Sequence, residues 1–82
     1  MKIGFTFKNQ DMTLTVVAFY GTKNFNLALL VSEKGSGGCH YVTVRDLTRE
    51  SNDNYFWYYG HYTNDFDEAI KDLYERRKNL GL

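Results

Sequence analysis

A chain of 82 residues with 43% hydrophobic and 17% aromatic content can build one core, so residues 1–82 read as a single domain burying about 60% of its unfolded-chain surface. Ten Lys and Arg against ten Asp and Glu exclude both a strongly acidic nucleic-acid mimic and a strongly basic nucleic-acid packager. The lone cysteine, Cys39, excludes an internal disulfide, no run approaches the ~20 apolar residues of a membrane span, and "MKIGFTF" lacks a signal-peptide pattern, so the expected location is a reducing cytoplasm.

The first half reads as strands. "KIGFTFK" alternates Ile3, Phe5 and Phe7 against polar positions, the period of a half-buried strand. "NQD" offers a turn, and "MTLTVVAFY" follows with Met12, Leu14, Val16 and Ala18 alternating against Thr13, Thr15, Val17 and Phe19, so the two runs form a hairpin. "GTKN" is a second turn before "FNLALLVS", with Phe25, Leu27, Leu29 and Val31 on one side. "EKGSGG" at 33–38 is a loop: no Gly-Lys-Ser/Thr follows and the next element is a strand, whereas a phosphate cradle opens a helix.

"CHYVTVRDL" is the fourth strand and "TRESNDN" at 48–54 a polar loop. "NYFWYYGHY" at 54–62, holding six of the fourteen Phe, Trp and Tyr residues, is the fifth strand. After Thr63 the period becomes helical. Asn64 caps, Asp65, Asp67 and Glu68 crowd the first turn, Arg76, Arg77 and Lys78 crowd the last, and Phe66, Ala69, Ile70, Leu73, Tyr74 and Leu80 form an apolar stripe that Gly81 closes. The fold class that follows is α+β, an antiparallel sheet of four to five strands with one C-terminal helix packed on one face.

One helix covers one sheet face. Placing Ile3, Phe5, Phe7, Leu14, Val16, Leu27, Leu29, Val42, Val44, Phe56 and Tyr58 beneath it leaves Val17, Phe19, Leu30, Tyr41, Tyr55, Trp57 and Tyr59 on the other, too apolar a set for a solvated surface. Trp, Tyr and Arg are enriched at binding hot spots. The candidate partner-binding set is therefore Tyr41, Tyr55, Trp57 and Tyr59, rimmed by Arg45 and Arg49. Three other readings stand beside it: both faces are covered within the fold, the second face is buried in a homodimer, or Tyr55, Trp57 and Tyr59 with Arg45, Arg49 and Lys8 stack single-stranded nucleic acid. Balanced charge and the lack of an RNP-like motif weigh against the last.

Catalytic and metal chemistry find little footing. Adjacent strand residues point to opposite faces, so Cys39 and His40 are poor co-ligands, and His61 reads as a hydrogen-bonded structural histidine at the strand's end. No nucleophile, base and orienting group can be argued from spacing. The expectation is a non-enzyme with no metal and no cofactor.

The run "YFWYYGHYTNDFDEAIKDLYERR" resembles the C-terminal part of small uncharacterised proteins carried by phages and other mobile elements of low-GC Gram-positive bacteria. The resemblance implies a protein that acts by binding a host protein, such as an inhibitor of a restriction or CRISPR nuclease.

Overall fold

A computed structural model describes residues 2–9, 12–32, 40–51 and 54–82. The expected loop at 33–38, Cys39, and the turn positions 10–11 and 52–53 lie outside the described residues. The elements are β1 (Thr6–Asn9), β2 (Met12–Gly21), β3 (Asn26–Ser32), β4 (Tyr41–Ser51), β5 (Asn54–Thr63) and α1 (Phe66–Leu80). They form one antiparallel sheet, and the single helix follows it, which is the expected α+β class; the strand order β1-β2-β3-β4-β5 is a simple meander.

Some boundaries differ from simple alternation. Ile3 and Gly4 form a turn, with Gly4 at φ 90, so β1 begins only at Thr6 and Ile3 is exposed. The polar run at 48–51 is strand, because Thr48 and Arg49 pair with Phe56 and Tyr55; ladder hydrogen bonds override a loop-like composition. At the turn before β3, the Thr22 hydroxyl accepts from the backbone N–H groups of Asn24 (3.3 Å) and Phe25 (3.2 Å), which leaves Phe25 outside the strand.

A bulge in β2 decides which of its residues meet the helix. In β2 the register moves from Val16↔Leu30 to Ala18↔Leu29, so Val17 is an extra residue and the parity of the strand inverts there. Leu14 and Val16 consequently face away from α1, while Ala18 and Tyr20 pack beside Leu27, Leu29, Ala69 and Leu73 beneath it. The face assignment expected from unbroken alternation is thus corrected. Phe5, Phe7, Leu14, Val16, Val42 and Val44 lie opposite the helix with Ala28, Leu30, Leu47, Tyr55 and Trp57, and Tyr41 lies on the helix side.

This second face is covered by the curl of the sheet itself. Phe7 sits 4.6 Å from the Tyr55 ring and 6.5 Å from Trp57, and Asn9 Nδ2 donates to the Tyr55 carbonyl at 3.0 Å, so the first strand closes over the last. Curling lets a small sheet bury both faces with one helix.

The helix begins one residue later than its expected cap. Asp65, in an extended conformation, accepts from the N–H groups of Asp67 (2.9 Å) and Glu68 (3.3 Å), whereas Asn64 Oδ1 accepts from His40 N at 2.9 Å. Replacing Asp65 by Ala is expected to cost about 1 kcal/mol in urea unfolding, with Asn64→Ala leaving helix capping intact. Gly81 ends α1 at φ 70, its N–H turned back to the last-turn carbonyls. Beside the apolar seam runs a polar one at four-residue spacing: Glu68 accepts from the Thr63 hydroxyl at 3.0 Å, Asp72 meets His61 Nδ1 at 2.9 Å, and Arg76 Nη1 donates to Thr43 O at 2.9 Å. No helix among the described residues is long and apolar enough to cross a membrane.

Candidate interaction site

Two compensating bulges build the most unusual part of the surface. Between the pairs Thr43↔His61 and Arg45↔Tyr58, β5 carries one extra residue; between Arg45↔Tyr58 and Thr48↔Phe56, β4 does. The bulges therefore flank the Arg45–Tyr58 pair on both sides. Each contains a non-glycine residue in the left-handed region, Asp46 at φ 53 and Tyr59 at φ 50, and no other non-glycine among the described residues has positive φ. Asp accepts this conformation readily; a bulky Tyr does so at a cost of about 1–2 kcal/mol.

Asp46 is held by its neighbours. Its Oδ1 accepts from Asn26 N at 3.1 Å, its carbonyl accepts from the Thr48 hydroxyl at 2.9 Å, and the next residue, Leu47, is bound through both N–H and C=O by the buried amide of Asn26. Arg45, just before it, is thereby aimed between two rings, with its guanidinium carbon 5.9 Å from the Phe25 centroid and 5.7 Å from that of Tyr59. Tyr59 is 71% exposed, Tyr58 53% and Phe25 41%. The result is a surface on which Phe25 and Tyr59 flank one cation and Tyr58 stands beside Tyr59, within electrostatic reach of Arg76 of α1. Burial holds the Arg76 pKa below its usual value; Asp72 works against that shift and the nearby charge of Arg45 adds to it.

The six residues singled out from sequence do not share a face. Tyr55 is 9% exposed and wedged against Phe7, and Trp57 is half-buried in the same cluster. Tyr41 lies on the helix side, its ring 5.5 Å from Phe66. Arg49 is exposed beside a cleft of about 360 Å³ lined also by Phe19, Lys23, Asn24, Leu47 and Thr48. Of the six, Arg45 and Tyr59 meet on the surface, while Tyr55 and Trp57 share the cluster around Phe7. Alternation missed Phe25 and Tyr58, and the available signal was Asp46 directly after Arg45, a residue type tolerant of positive φ inside an otherwise regular strand.

His61 and Asp72 border a cleft of about 210 Å³ with Thr43, Tyr62, Thr63, Glu68 and Ala69. Their hydrogen bond joins β5 to α1, the partner being a helix carboxylate. Among the described residues, no three His, Cys, Asp or Glu side chains are placed to hold a metal ion. No protein-family model matches this chain, and neither a curated protein nor a solved structure does.

Proposed function

We propose that the chain is a non-enzymatic protein-binding module whose docking surface is Arg45, Phe25, Tyr58 and Tyr59. The observation that carries this reading is the convergence of both left-handed non-glycine residues on Arg45. Backbone strain of this kind persists only where the surrounding structure enforces it, and it concentrates at binding and active sites. Here it raises a tyrosine ring into solvent, where it contributes little to the core. Exposed aromatics around an arginine are the residue types that dominate interface energetics. The resemblance noted above supplies the class of partner, a host protein such as a defence nuclease, which the module would block by occupying its surface. A base-stacking platform of Tyr55, Trp57 and Tyr59 is the weaker reading, since the first two rings are engaged with Phe7.

Tyr59→Asn tests the proposal through opposite changes in two quantities. Asn tolerates the left-handed conformation, so the variant is expected to gain up to about 1 kcal/mol of stability. A partner recovered on the tagged protein from nuclease-treated bacterial lysate is expected to bind the same variant at least about tenfold more weakly. Unchanged affinity in a stabilised variant would remove Tyr59 from the interface.

A further inference from the structure

We infer that the Arg45 patch takes a carboxylate-bearing segment of its partner protein, an inference that rests on reading this patch as the docking surface. The ground for it is an arginine whose ion pair is long and whose Nε lacks an acceptor among the described residues. The chain is neutral overall, yet Asp65, Asp67 and Glu68 gather at the start of α1 and Arg76, Arg77 and Lys78 at its end, where the charges of Arg76 and Arg45 act on each other. The carboxylates beside the two guanidiniums also accept other hydrogen bonds. Asp46 Oδ1 accepts from Asn26 N, and its Oδ2 is 4.0 Å from Arg45 Nη2; Asp72 holds His61 Nδ1 with both oxygens at 3.1 and 2.9 Å. Arg45 Nε is buried and has no acceptor among the described residues. Among the described residues Arg45 thus has only the 4.0 Å contact with Asp46 as an ion pair.

The geometry selects among anions. A guanidinium lying against aromatic rings keeps its in-plane N–H groups for an incoming acceptor, and its fork matches a carboxylate bidentately. Phe25 and Tyr59 flank that position with apolar surface suited to the methylenes of Glu or Asp. A nucleic-acid strand instead calls for a row of cations along its backbone, whereas the positive charge here is concentrated at a single point between rings.

Nuclear magnetic resonance titration of the ¹⁵N-labelled chain tests this, with a blocked Gly-Glu-Phe-Glu-Gly peptide, its Gln counterpart and oligothymidylate as probes. The expected result is saturable movement of the Arg45 Nε and Tyr59 amide signals with the glutamate peptide. The glutamine peptide should bind at least about tenfold more weakly, as should the glutamate peptide to Arg45→Gln or Arg76→Gln protein. Thermal unfolding of both variants confirms that each is folded. The absence of movement at millimolar glutamate peptide overturns the inference, and so does tighter oligothymidylate binding at the same signals. If both peptides bind equally and Tyr59→Asn weakens both, the docking surface stands and the carboxylate preference falls. If neither Tyr59→Asn nor Arg45→Gln changes glutamate-peptide binding, the surface itself is misplaced.

Discussion

Asn26→Ala is expected to destabilise the fold by about 3–5 kcal/mol, one of the largest effects of any single side chain, although it removes only one amide. Asn26 is 1% exposed. Its Nδ2 donates to Thr22 O at 2.9 Å and to Leu47 O at 3.2 Å, and its Oδ1 accepts from Leu47 N at 2.9 Å. These contacts stand in for the ladder bonds that the β4 bulge interrupts, and they tie the β2–β3 turn to the same point. Truncation leaves three backbone groups to find partners at a buried site, each unsatisfied group costing about 1–3 kcal/mol. For a domain of this size that loss corresponds to a fall in Tm of roughly 15–25 °C, or failure to fold if total stability lies near the low end of its usual range.

Asn26→Leu separates the cause from simple cavity formation. Leucine fills much of the same volume, so a packing defect would be largely repaired, whereas an unsatisfied network would not. Urea unfolding of the two variants should therefore give similar losses. Near wild-type stability for the leucine variant would show that volume, and not hydrogen bonding, holds the site. Because Asn26 also donates its backbone N–H to Asp46, the network fixes the bulge that aims Arg45. A stabilising element and the proposed docking surface share one anchor, and faster hydrogen exchange at Leu47 N–H in a folded Asn26 variant would report its loosening.

The ease of reading the sequence tracked how local each determinant is. The helix, with its acidic start, basic end and glycine stop, depends on positions within a few residues of one another, and only its cap shifted, from Asn64 to Asp65. The strands were legible from alternation and turn residues, and the first hairpin from its short turn, whereas the order of the five strands was not. What alternation could not deliver was the side of the sheet to which each residue belongs. One extra residue at Val17 reverses β2, and the paired bulges about Arg45 rotate the ends of β4 and β5. Such insertions are set by cross-strand register and by partners distant in sequence, such as Asn26 for Asp46. The aromatic run 54–62 shows the consequence: it supplies core rings at Tyr55 and Trp57 and surface rings at Tyr58 and Tyr59 within five residues. Composition marked the segment, and only register divides it.

Gly21→Ala should cost about 2–4 kcal/mol, well beyond the ordinary penalty for a left-handed residue. Gly21 ends β2 at φ 110, and a Cβ there would collide with the Phe25 carbonyl oxygen and lie 2.9 Å from Asn26 Cα. Both neighbours are backbone, so relief requires the turn itself to open, against the Thr22 N–H to Phe25 O bond of 2.8 Å and the hydroxyl bonds of Thr22. Gly81 provides the internal standard. It too has positive φ, at 70, but a Cβ there meets no atom within 4 Å, so Gly81→Ala should cost only about 1 kcal/mol. Equal losses at the two positions would mean that conformation alone matters and that the turn has room to give. A larger loss at Gly21, together with an altered Phe25 ring environment by nuclear magnetic resonance, would place the close approach of the turn backbone among the determinants of the Arg45 surface. Phe25 reaches that surface only because the chain before it doubles back without a side chain in the way.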